Sequence, residues 1–105
     1  MADPIINPMV MTADQINQAF KACGDSVNLI NAIVANPNAT DVSGNPVYKT
    51  KDDPDAKLIM KRNVDHLNIQ IAKDWYIADT TARTAPADKA SITAAIASGT
   101  TFLNS

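Results

Sequence analysis

The chain has 105 residues, a formal net charge of −2 and a pI near 5.0, which fits one domain and removes the electrostatic case for nucleic acid or an anionic membrane surface. Eleven Ile, four Leu, six Val and two Phe supply most of the bulky apolar side chains, and much of the remaining hydrophobic content is alanine, which buries little area. A core this thin leaves a small surplus over conformational entropy and invites help from a partner subunit.

Residues 1–11, MADPIINPMVM, read as an extended arm. Pro4 and Pro8 forbid a helix, while Ile5, Ile6, Met9, Val10 and Met11 are too apolar for an idle tail. No basic region precedes the apolar residues, so the arm does not read as a signal peptide. Thr12 then opens a capping box with Gln15 at its third helical position. Ile16, Phe20, Cys23, Val27, Ile30 and Val34 follow at steps of three and four. At 100° per residue they lie within about 40° of one line. The line continues past Gly24, which predicts a single helix over 13–35, ended by Asn36-Pro37.

Residues 36–53 are turn-rich. Val42 and Val47-Tyr48 flank Ser-Gly-Asn-Pro, a pattern that admits a short β-hairpin or a structureless loop. Asp53 as N-cap, with Pro54 and Asp55 after it, predicts a second helix over about 54–77. Its core seam is Met60, Val64, Leu67, Ile71 and Trp75. Leu58, Ile69 and Tyr76, spaced eleven and seven apart, form a second ridge opposite that seam. A helix packed on a single core should not carry one. Three scattered surface apolar residues would read the same way; otherwise this helix is covered on both sides or its back meets another chain, and the interspersed Arg62, Asp65 and Lys73 suit the polar rim of an interface. Residues 78–85 read as a loop. Pro86 opens an Ala-rich third helix over 86–98, with Ile92 and Ile96 as large apolar residues and Gly99 as its stop. Phe102 and Leu103 extend that line or fold back into the core.

The chemistry-bearing residues are few. Every acidic side chain is Asp, and the absence of Glu removes any Glu-based acid, base or ligand. A single Cys allows no internal disulfide and no Cys-based zinc site, and Cys23, in mid-seam, reads as a core thiol. Arg62, Asp65, His66 and Asp74 are close in sequence, yet on the helical wheel they spread along a solvated side instead of converging. His66 therefore reads as a surface imidazole. Asp52, Asp53 and Asp55 lack the spacing of a calcium loop, and Lys49, Lys51 and Lys57 neutralise them. Three scattered glycines make no phosphate cradle. The third helix offers only Lys89, with Arg83 just before it, for phosphate contact, so a helix-turn-helix is excluded. No stretch approaches the ~20 apolar residues of a membrane span.

Arg62-Asn63-Val64, then His66-Leu67, then Ala72-Lys73-Asp74 and the aromatic Trp75 form a string. It resembles a helix of small proteins encoded in tailed-phage and prophage genomes, a family with no assigned activity. The likeness spans about residues 61–98 and includes the Ala-rich helix. It implies a viral context and no catalytic residues.

These readings predict a small all-α domain: an extended arm over 1–11, then one helical domain over 12–105 with three helices and a long loop at 36–53. The expected role is a non-catalytic structural or assembly protein acting through protein contacts, either as a homo-oligomer or with other assembly components. Ile5, Ile6, Leu58, Ile69 and Tyr76 are the predicted interface residues. An adaptor that binds another protein through the 36–53 loop is the alternative. Neither reading involves a cofactor, a metal, nucleic acid or a membrane. The expected location is the cytoplasm, with incorporation into a virion if the viral context holds.

Overall fold

The computed structural model describes residues 11–48 and 56–104. They form α1 (Ala13–Ala35), α2 (Lys57–Ile71), α3 (Asp74–Ala78) and α4 (Lys89–Leu103). The three long helices pack pairwise against one another, and α3 follows α2 after a short break. The all-α expectation holds. No strand occurs among the described residues, and the hairpin reduces to one antiparallel bridge between Thr40 and Pro46. Its turn is organised by Asp41, whose carboxylate accepts the N–H groups of Ser43 and Asn45 at 2.8 and 2.9 Å. Gly44 supplies the left-handed φ of 84° that this turn requires.

Helix α1 has the predicted bounds, and both arms of its capping box are made. Gln15 N–H donates to Thr12 Oγ1 at 3.1 Å, and Thr12 N–H donates to Gln15 Oε1 at 2.9 Å. Phe20, Cys23, Val27 and Ile30 are buried as the periodicity requires. Near its C-terminal end the stripe departs from the predicted line: Ile33 is buried and Val34 is 43 % exposed. Because α1 packs on both α2 and α4, its buried arc is wider than one line and takes in Ser26 and Ile33, seven residues apart on one flank.

The second predicted helix is not continuous to residue 77. It breaks at Ala72 and Lys73, and Lys73 is extended (φ −82°, ψ 148°). Lys73 N–H closes on Gln70 O at 3.1 Å, and Lys73 O accepts from Tyr76 and Ile77 to start α3. Trp75 and Tyr76 are neighbours on α3 and still about 100° apart on it; the break gives α3 a direction of its own, and both side chains are buried. The predicted start at Asp53, Pro54 and Asp55 lies outside the described residues, as do Ile5 and Ile6 of the arm. Met11 is partly buried against the core.

The last helix begins and ends later than the predicted 86–98. Asp88 is its N-cap, accepting Ser91 N–H at 2.7 Å, so Pro86 belongs to the preceding connection. Gly99 does not stop the helix; it is buried inside α4, where α4 crosses its neighbours. A Cβ at this position would lie 2.5 Å from Val64 Cγ2, 3.0 Å from Met60 Sδ and 3.4 Å from Ile30 Cγ2. Only a residue without a side chain lets the three helices meet here. Gly24 plays a milder version of this role on α1, where a Cβ would stand 3.3 Å from Ala87 Cβ.

Gly99→Ala should therefore destabilise the fold by about 1–3 kcal/mol through overpacking, although alanine favours helix by ~1 kcal/mol. Gly24→Ala should cost less or nothing. Urea unfolding followed by circular dichroism compares them, and equal losses would refute the tight crossing at Gly99. The α4 cap makes a separate prediction. The hydrogen bonds from Ser91 hold the Asp88 carboxyl below its ordinary range. Their contribution is complete above the unfolded-state pKa of about 3.9 and is lost as pH falls through the lower folded value. Asp88→Ala should lower the urea midpoint at pH 7, and its gap from the parent should close as pH is taken below the carboxylate range.

Candidate functional site

Arg62, Asp65, His66 and Asp74 do not converge. Among the described residues no hydrogen bond or ion pair joins any two of them. Arg62 and Asp74 are exposed, and Asp65 pairs with Lys61 at 2.7 Å on the surface of α2. His66 departs from the surface-imidazole expectation. It is half-buried, with its Nδ1 2.8 Å from the hydroxyl oxygen of buried Ser26 on α1. A serine against an imidazole is the first half of a nucleophile–base pair. Here the bond satisfies a buried hydroxyl and ties α2 to α1, and neither residue lines any of the grooves described below. The signal for it was the position of Ser26 seven residues before Ile33, on a flank the simple seam left out. Cys23 is a core thiol as expected, with burial pushing its pKa up.

A cluster of polar and aromatic contacts forms where the chain passes from α3 to α4. Phe20 meets Trp75 edge-on at 5.3 Å between ring centroids and stacks on Tyr76 at 5.4 Å. The Arg83 guanidinium lies 3.9 Å from the centroid of the Phe20 ring and donates from Nη1 to Asn17 Oδ1 at 2.8 Å. Its Nη2 and Nε reach the two carboxylate oxygens of Asp79 at 3.2 and 3.4 Å. Lys89 donates to the Asp79 carbonyl at 2.7 Å, with its ammonium 4.8 Å from the Tyr76 ring centroid. The Tyr76 hydroxyl is raised above its usual pKa, first by burial and then by Cys23 and Asp88. Both cations that the sequence offered for phosphate contact are thus engaged internally. They clamp an irregular connection onto the core through charge-assisted and cation–π contacts.

Beside this clamp runs an open groove of about 560 Å³, lined by Asn17, Lys21, Gly24 and Asn28 of α1 and by Thr84 and Pro86 among others. A second groove of about 560 Å³ lies at the α2–α3 break, lined by Met11, Ala19, Ala72 and Trp75 among others. Among the described residues no group of three or more His, Cys, Asp or Glu is placed to hold a metal, and no helix is long and apolar enough to cross a membrane.

Of the predicted interface residues, Leu58 is 41 % and Ile69 57 % exposed. They stand on α2 opposite the buried Met60, Val64 and Leu67. Tyr76 leaves the ridge because the helix breaks before it, and at 7 % exposure it belongs to the aromatic cluster. Ile77 on α3 is exposed in its place. The outer face of α2 is therefore the candidate site, and it consists of two aliphatic side chains among charges. The chain matches no protein-family model, no curated protein and no solved structure.

Removing the clamp should be costly because its ion pair is shielded, with side-chain exposures of 15 % for Arg83 and 7 % for Asp79. Arg83→Ala should lower stability by about 2–4 kcal/mol. Lys61→Ala, which breaks a pair that is more than half exposed on both sides, should change it by less than ~0.5 kcal/mol. Chemical denaturation of the two variants side by side checks the contrast.

Proposed function

We propose that this protein is a non-catalytic structural or assembly component that acts through protein–protein contacts, in the first place with copies of itself. The observation that carries this reading is the outer face of α2, where Leu58 and Ile69 stay in water on the side away from the core. Covering what remains exposed of each would contribute on the order of 1 kcal/mol, and the charged residues around them suit an interface rim. The scarcity of large apolar side chains supports the same reading, since a second subunit would add buried area that one chain lacks. The resemblance to phage and prophage proteins favours a virion-associated setting, with cytoplasmic subunits recruited during assembly.

A second reading, an adaptor working through the 36–53 loop, draws on Val42. This apolar side chain is fully exposed on a turn that Asp41 holds in shape. Light scattering over a concentration series separates the two. The parent should exceed the 11.2 kDa of one chain, and joint Leu58→Asp and Ile69→Asp substitution should return it to that mass with helicity unchanged. Val42→Asp should leave the mass unaltered. A parent that stays at the mass of one chain at every concentration would rule out self-association.

A further inference from the structure

We infer that two copies pair through α2 as an antiparallel two-fold dimer, with Leu58 of each copy on Ile69 of the other and Arg62 of each facing Asp65 of the other. The inference rests on the self-association reading and specifies its geometry. On the wheel of α2, Asp65, Leu58, Ile69 and Arg62 fall within an arc of about 60° centred opposite the core seam. All four are exposed. Along the axis their order is apolar, positive, negative, apolar, at spacings of four, three and four residues. That order is palindromic in shape and antisymmetric in charge. Turning the helix end for end about the midpoint between residues 63 and 64 lays 58 on 69 and 62 on 65, so the stripe is complementary to itself under a two-fold axis.

Charge selects this arrangement over its competitor. A parallel pairing in register would set Arg62 against Arg62 and Asp65 against Asp65, and like-charge contacts oppose association. The antiparallel one gives both ions a partner of opposite sign. Arg62 can take one, because its side chain is exposed and, among the described residues, has no hydrogen bond or ion pair. Asp65 holds Lys61 through one oxygen, Oδ2, which leaves the other oxygen for a guanidinium from the second copy. The stripe runs from residue 58 to residue 69, eleven steps of the helical rise or roughly 16 Å. It carries two aliphatic side chains per copy, so the interface is small and the dimer weak and concentration-dependent.

Sedimentation equilibrium of the full chain tests this by charge exchange. Arg62→Asp and Asp65→Arg should each weaken the dimer at least 10-fold. The double variant should restore it, and an equimolar mixture of the two single variants should pair with each other in preference to themselves. Circular dichroism establishes that each variant keeps its helices. Cysteine cross-linking reads the register independently. A mixture of Leu58→Cys and Ile69→Cys proteins should oxidise to the mixed disulfide. Neither should cross-link alone, because like positions would lie roughly 16 Å apart, beyond the ~7 Å Cα reach of a disulfide. A dimer indifferent to both charge reversals, or one that joins 58 to 58, would overturn this geometry and leave self-association standing. A chain that never dimerises would overturn both.

Discussion

The Phe20 ring is the contact on which the arrangement of this fold depends. Its ring meets the edge of an indole, the plane of a phenol and a guanidinium. Those partners come from α3 and from the connection into α4, so a single side chain of α1 gathers two parts of the chain that share no local pattern with it. The ring quadrupole suits these partners because its face attracts cations and its preferred aromatic neighbours lie edge-on or offset. The break after α2 has its physical reason here. The break gives α3 a direction of its own, and both of its successive aromatics reach the same ring.

Close approach compensates for scarce bulk. Interiors must be filled to crystal-like density whatever side chains are available. With four leucines and two phenylalanines in the whole chain, the helices fill space by drawing their backbones together. Gly99 and buried Ala95 on α4, and Gly24 beneath Ala87, mark where this happens. Such packing is less tolerant than a core of large flexible side chains, since a single added methyl group has nowhere to go at residue 99.

What was legible in the sequence follows how local each determinant is. The ends of α1 were readable because both signals, the Thr12–Gln15 box and Asn36-Pro37, sit within a few residues of the boundary. The exposure of Leu58 and Ile69 was equally readable, since periodicity alone puts them behind the seam. Tyr76 was not, because the turn that moves it into the core answers to a ring 56 positions away in the sequence. Pro86 and Gly99 carried plausible local signals for a helix start and stop. Tertiary packing overrode both, seating Pro86 over Gly24 and using Gly99 as a crossing point. Arg83 looked like a spare cation because nothing in its spacing points to Phe20 or Asn17. His66 looked solvated because Ser26, its partner, stood outside the apolar line used to orient α1.

Trp75 brings one more consequence. It is the single indole of the chain, it is shielded from solvent, and it stands at the joint where α2 gives way to α3 while also lining the groove there. The molecule thus carries a built-in fluorophore whose emission colour and quenching report on one place, the hinge between its two consecutive helices. Anything that loosens that joint, or settles into the groove beside it, becomes visible without a label.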